Sequence, residues 1–377
     1  MYNISPFHPL AKYPGPFLWH LSRLPASYHH ASGDLYKQIA AIHEKYGPTV
    51  RIAPDELSFT APDAWPQIYN SRPQLQKTPW HFGGSDTGGF KESMITASDS
   101  EHMRLRRLAN PAFLNSGILE VEPVLQQYTE LLCSQLAKAS TEGSQNIVEW
   151  LLWTLNDVIG QLALDQRFEC LEKRRMHPWP SFLLGALKSI AAVNQFRRFG
   201  VSMKVLQSLM TKQQLDRRDD FVKTATTAID ERLAEEEKGM KEGKLDIVGL
   251  MLRELKGEKL SKEDITSNSV LIVGGGAETT STCLSATIYH LCKTPRVMEK
   301  LKAEIRSSFA SSEDITIRAT SNMPYLKATI DESLRIFSVA SYITPRVTPK
   351  EGHVINGEMI PGDVSRMRAR CKRDRCG

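Results

Sequence analysis

Residues 270–282 read VLIVGGGAETTST, and the fold turns on how this run is taken. An apolar stretch leads into three consecutive glycines, Gly274 to Gly276; an acid and two hydroxyls, Glu278, Thr279 and Thr280, follow. Each glycine inside a helix costs about 1 kcal/mol against alanine. Three together call for a compensating role, and close approach of something flat to bare backbone is one. An acid beside a hydroxyl is a proton-handling pair. Equally, the threonines cap a kink by bonding back to i−4 carbonyls while Glu278 pairs with a lysine; the residues alone leave both readings open. A phosphate loop is excluded, because no Gly-Lys-Ser/Thr ending and no preceding strand is present.

Outward from this run, a single helix of more than thirty residues is expected, from just after Ser261 to about Lys293. Asp264, three residues beyond Ser261, makes a capping-box variant. Thr294-Pro295 starts the next helix, with Val297, Leu301, Ile305 and Phe309 as its stripe. Pro324 opens another, in which Leu326, Ile330 and Leu334 are expected to bury one side while Glu332 and Arg335 pair across i, i+3. Residues 343–362 read as short strands and turns. On the other side of the chain, the proline-rich residues 1–27 are expected to be irregular, and helical periodicity begins near Ser32. TVRIAPDELSFTA reads as two strands turning at Pro54-Asp55, and residues 70–98 as a long loop. In the helix after Ser98, His102 and Arg106 share a face four apart, which is either a solvated basic surface or an anion clamp. Helical patterns fill 118–170 and 204–240. The apolar segment 181–201 is either core or a lid over an apolar ligand.

The fold class expected is therefore mainly α with a small β region. Composition is that of an ordinary globular chain: 377 residues, 41% hydrophobic and 24% charged. The net charge of +5 is local. Residues 365–377 hold six of the 48 basic residues and one of the 43 acids, so the rest of the chain is neutral. A nucleic-acid partner is not expected from such a distribution. The six cysteines lack zinc-like or disulfide-scaffold spacing. The chain contains no run of eighteen apolar residues and no signal-peptide core at its start.

The glycine–acid–threonine helix, the downstream Glu332-Ser-Leu-Arg335 and the later Pro345-Arg346 stand in the order and spacing of the cytochrome P-450 family of haem-thiolate monooxygenases, which the chain resembles over nearly its whole length. His102-Met-Arg-Leu-Arg106 and Tyr13–Pro16 (YPGP) match further family segments, and FHPLAKYPGP, YGPTVRIAP and NQFRRFG resemble the filamentous-fungal branch of secondary metabolism. The resemblance implies a cytochrome P-450 fold, incomplete at the C-terminus: residues 1–30 as a proline-rich segment, 31–363 as an incomplete haem monooxygenase domain, and 364–377 as a basic tail foreign to the family. It implies haem as cofactor. Gly275 and Gly276 would let the helix pass close over it, Glu278 and Thr279 would relay protons for oxygen activation, and His102, Arg106 and Arg346 would hold its propionates. Glu332 and Arg335 would form a buried structural pair. The loop around 80–97 and the segment 181–201 would wall the pocket of a hydrophobic small-molecule substrate, a terpenoid or polyketide. Electrons would come from NADPH through a cytochrome reductase, at the cytosolic face of the endoplasmic reticulum, with only weak peripheral membrane contact and no transmembrane anchor in this chain. The family's thiolate cysteine has no counterpart: neither Cys371 nor Cys376 follows a Phe/Gly/Arg-rich loop, so no metal ligand is assigned. A monooxygenase by descent that lacks normal turnover is the expectation; a non-catalytic remnant or binding protein is the alternative.

Overall fold

The computed structural model describes residues 2–78, 90–201, 205, 208, 211–238, 247–252, 257–340, 345–362 and 364–368. Two compact units contain them: one made of Met1–Gly84, Leu187–Leu209 and Ala340–Gly377, the other of Ser85–Ala186 and Met210–Val339.

The first unit carries the β structure. Its N-terminal prolines start helices rather than preventing them, correcting the expectation of an irregular segment. Pro16 caps α1 (Phe17–Leu21), and Pro25 lies in the first turn of α2 (Leu24–Ser32). Proline's fixed φ and missing N–H cost nothing at a helix start, where that N–H has no partner in any case. Helix α3 (Leu35–Tyr46) buries Leu35, Ile39 and Ile42 against β1 (Thr49–Ala53). The antiparallel hairpin of β1 with β2 (Glu56–Phe59) confirms the two expected strands. After α4 (Ala64–Tyr69) comes the short β3 (Gln76–Lys77).

The second unit is helical. It holds α5 (Asp99–Ala109), α6 (Asn115–Glu120), α7 (Glu122–Ser140), α8 (Ile147–Leu164) and α9 (Cys170–Lys173). The next helix, α10 (Pro178–Arg198), begins here, and its last residues belong to the first unit. Then follow α11 (Lys212–Glu237), α12 (Ile247–Leu252), α13 (Lys262–Lys293), α14 (Pro295–Ser308), α15 (Ile317–Thr320) and α16 (Pro324–Ile336). The largest core cluster joins Leu105 and Leu108 of α5, Val158 and Leu162 of α8, Phe221 and Ile229 of α11, and Val270 and Val273 of α13. Asp157, buried within α8, accepts the backbone N–H of Cys170 at 2.9 Å and of Leu171 at 2.8 Å, which satisfies the start of α9.

The chain then returns to the first unit with β4 (Arg346–Val347), the hairpin β5 (His353–Ile355) and β6 (Glu358–Ile360), and β7 (Ser365–Arg368). The five-stranded sheet runs β1-β2-β7-β4-β3, with β7 parallel to β2 and antiparallel to β4. Residues 365–368, at the head of the basic segment, thus occupy the middle of the sheet. Cys371 and Cys376 lie outside the described residues.

Two expectations about α16 are corrected. Ile330 and Leu334 are 37% and 36% exposed, and Ser333 is the helix's buried residue. The Glu332–Arg335 pair forms, with N–O distances of 2.6 and 2.7 Å, but on an open face, with side chains 52% and 39% exposed. The reason is geometric: α16 meets α13 on the face of Ser333, whose hydroxyl is 2.8 Å from that of Thr287, and α14 on another. The face between, with Ile330, Glu332, Leu334 and Arg335, stays exposed.

The N-terminal strap depends on a neutral histidine. His8 receives the Leu10 N–H at Nδ1, 3.1 Å away, and faces the Arg51 guanidinium at Nε2, 3.2 Å away. Arg51 itself is 1% exposed. A neutral imidazole has one acceptor nitrogen, and protonation leaves none. Burial first, then Arg51, lowers the pKa of His8; burial also lowers those of His20, His30 and His43. A folded pKa below the unfolded value means stability present above the unfolded value and lost as pH falls through it. The first unit should therefore loosen on acidification below about pH 6.5. Protection factors of the amides of residues 10–53 at two pH values, with the intrinsic pH dependence of exchange divided out, check this; protection that does not fall toward acid refutes it.

Candidate active site

The geometry centres on α13, which is helical without interruption over 32 residues. Ser261 and Asp264 close the expected capping box at its start. Asp264 also takes Lys91 at 2.5 Å and Arg104 at 2.8 Å, while being 1% exposed. Burial works to raise its carboxyl pKa, but Arg104 and Lys91 outweigh burial and hold it below the ordinary value.

One stripe of α13 carries the chemistry. Asn268, Ile272, Gly275 and Thr279 recur at spacings of four, three and four, which is one helix face. Asn268 and Gly275 are thus separated by about 10 Å along the axis and about 20° around it. The stripe opens as it runs: Asn268 is buried, Ile272 half-buried, and Gly275, Glu278 and Thr279 exposed. The glycines divide in role. A Cβ on Gly275 would meet nothing within 4 Å, whereas one on Gly276 would stand 3.1 Å from the Ile159 side chain of α8. Gly275 presents bare backbone; Gly276 lets α8 and α13 close on each other.

Thr279 donates its hydroxyl proton to the Gly275 carbonyl at 2.6 Å. The hydroxyl bonds back to its i−4 carbonyl, as one of the two readings of the run expects, and the helix continues without a break. Its oxygen keeps lone pairs to accept with, and Glu278, its neighbour in sequence, is exposed as well.

The buried end of the stripe is closed by the segment after Phe90. Met94 is held at both ends of its peptide: its N–H donates to Asn268 Oδ1 at 2.9 Å, and its carbonyl accepts from His102 Nδ1 at 2.7 Å. This clamp ties α5 to α13 and sets where His102 stands. His102 is half-buried, and Arg106, one turn on, is exposed. Residues 79–89 of the expected pocket loop, and most side chains of 183–192, lie outside the described residues.

Arg346, the third expected anion ligand, belongs to the first unit. Its Nη1 donates to the Leu75 carbonyl at 3.1 Å, and its guanidinium lies 5.8 Å from the Tyr69 ring centre. The structure therefore places His102 and Arg106 on one face of α5 and aligns Gly275 with Thr279 on one face of α13.

Sequence reading missed Asn268 and Met94. The available signal was one amide in an apolar-to-glycine helix, seven residues before Gly275 and on its face.

A haem offers two carboxylates, a flat apolar ring and an iron. His102 and Arg106 suit a carboxylate, and the bare backbone at Gly275 suits the ring. The iron finds no evident thiolate among the described cysteines. Burial pushes the Cys170 thiol up to about 12, whereas a ligand thiol needs a lowered pKa. Cys133 and Cys292 are exposed on helices, and Cys283 is half-buried within α13. No group of three or more His, Cys, Asp or Glu among the described residues could hold a metal, and no described helix is long and apolar enough to cross a membrane.

Comparison with known proteins agrees with the fold. A family model described as Cytochrome P450 matches residues 9–365. An averantin hydroxylase of Dothistroma septosporum is 35% identical over 360 residues, 95% of this chain and 67% of that protein. The cytochrome P450 monooxygenase astA of Talaromyces wortmannii is 32% identical, over 95% of this chain and 72% of its own length. A crystal structure of the cytochrome P450DA heme domain superposes with a TM-score of 0.71 at 19% identity, covering 89% of this chain and 71% of that one.

The division between the glycines is testable by stability. Gly275→Ala should stabilise the ligand-free protein by about 1 kcal/mol through helix propensity. In Gly276→Ala the contact with Ile159 should offset that gain. Asn268→Leu strands the Met94 N–H in a buried setting and should cost about 2 kcal/mol. Denaturant unfolding of the three variants checks the ordering.

Proposed function

The chain belongs to the cytochrome P450 family, a haem-dependent oxidoreductase family of which its fungal relatives are named monooxygenases and hydroxylases, and from that premise we propose that it descends from a monooxygenase inserting oxygen into a hydrophobic small molecule of secondary metabolism. The single observation that carries this is the open stripe of α13, Gly275 to Thr279, with the His102–Arg106 face anchored to the same helix through Met94. Bound haem would supply dioxygen activation, fed with electrons from NADPH by a partner reductase. His102 and Arg106 would hold a propionate by charge-assisted hydrogen bonds. Thr279, tethered to Gly275, would accept and pass on a proton at its hydroxyl oxygen, and the exposed Glu278 carboxyl would resupply it from solvent. The relatives, averantin hydroxylases and other fungal monooxygenases among them, support a small-molecule substrate of secondary metabolism. A peripheral station at the endoplasmic reticulum fits the exposed Phe7, Phe17, Leu18 and Leu24 of the N-terminal strap.

The cysteine chemistry supports a further limit. Among the described cysteines burial pushes the Cys170 thiol up to about 12, away from a ligand thiolate, so the described residues suit the carboxylate and ring of a porphyrin and no iron ligand is assigned among them. Haem titrated into the purified chain should give a bound Soret band whose reduced carbon monoxide complex does not adopt the thiolate position. With NADPH and reductase, no hydroxylated product should form. A thiolate-type band that disappears in Cys371→Ser would reverse this conclusion.

A further inference from the structure

The hydrogen bond between His102 and Met94 carries a consequence for how this histidine binds an anion. The Met94 carbonyl can only accept, so Nδ1 must be the donor in the 2.7 Å contact. In the neutral ring that choice leaves Nε2 with a lone pair and no proton. A carboxylate is also an acceptor, and lone pair against lone pair repels. Only the imidazolium carries a second N–H for the ligand while keeping the first on Met94. Turning the ring over would give up the bond to Met94, and the Met94 peptide cannot follow it, being fixed by Asn268, whose amide in turn donates to the Asp264 carbonyl at 2.7 Å.

We propose that His102 takes up a proton when a porphyrin carboxylate binds, because its neutral form is committed to Met94, so that loading of the site is proton-coupled. This rests on the assignment of His102 and Arg106 to the carboxylate side of a haem. Met94 and Asn268 thereby become positioning residues: they fix which nitrogen of His102 faces the ligand, without touching it.

Charged groups stand on the elements around His102. Within α5, Arg106 is one turn away, Asp99 begins the helix, and Glu101 is engaged with Arg104. The Met94 segment brings Glu92 and also Lys91, which is paired with Asp264. The 3-10 turn Asn110–Phe113 and α12, both packed on α5, bring no titratable side chain.

The test uses the full chain and metal-free protoporphyrin IX, followed by fluorescence between about pH 6 and 9, a range in which the carboxylates stay ionised and imidazole titrates. Affinity should weaken as pH rises, by up to tenfold per unit for one linked proton. Calorimetry in buffers of different ionisation enthalpy should count close to one proton taken up per porphyrin. In His102→Gln, whose amide donates at any pH, the pH dependence and the proton uptake should both vanish, with circular dichroism confirming the fold. The dimethyl ester of the same porphyrin should bind without proton uptake. Binding of the diacid with no pH dependence and no proton uptake overturns the coupling. Equal affinity of diacid and ester, or no binding of either, overturns the carboxylate assignment itself and the coupling with it.

Discussion

A helix of 32 residues has to be fixed at its start, and here one carboxylate does it. Asp264 reaches back to the Ser261 N–H, satisfying the cap, and draws in Lys91 and Arg104 from two other parts of the second unit. A buried carboxylate with two cations and a backbone donor is a setting in which loss of any one partner strands the rest. Everything that defines the candidate site follows from this anchoring. The Lys91 contact delivers the segment bearing Met94, the Arg104 contact sets the rotation of α5, and α5 in turn presents His102 and Arg106. Four turns along, the same helix exposes Gly275 and Thr279.

Local rules were enough to read much of this molecule. The capping box, the start of α14 at Pro295, the hairpin of β1 with β2 and the extent of α13 all rest on interactions within a few residues, and the chain states those directly. The roles of Gly275 and Gly276 could not be separated that way. They are adjacent and identical, and only Ile159, over a hundred residues earlier, distinguishes them. The Met94 clamp is likewise invisible, since it joins residues 94, 102 and 268 through a backbone group that carries no side-chain signature.

The reading of α16 shows a different failure. The apolar spacing of Leu326, Ile330 and Leu334 is regular, and regular spacing implies a face that is covered. Periodicity states that a face is apolar; it cannot state by what, or within which stretch of chain, that face is met. Glu332 and Arg335 find each other because they are one turn apart, and the exposure of the pair makes it worth little energetically.

The placement of β7 bears on how the first unit is made. Its partner β2 lies roughly three hundred residues earlier, through the register Glu56 with Ser365, and the whole helical unit intervenes. Pairings of such sequence separation are slow to close, because the loop entropy is lost before any contact compensates for it. During synthesis the β1-β2 hairpin emerges early and waits with one edge unpaired. Every residue of the helical unit is synthesised in the meantime. The sheet therefore closes after the helices can have formed, and until then β2 keeps an edge open to mispairing.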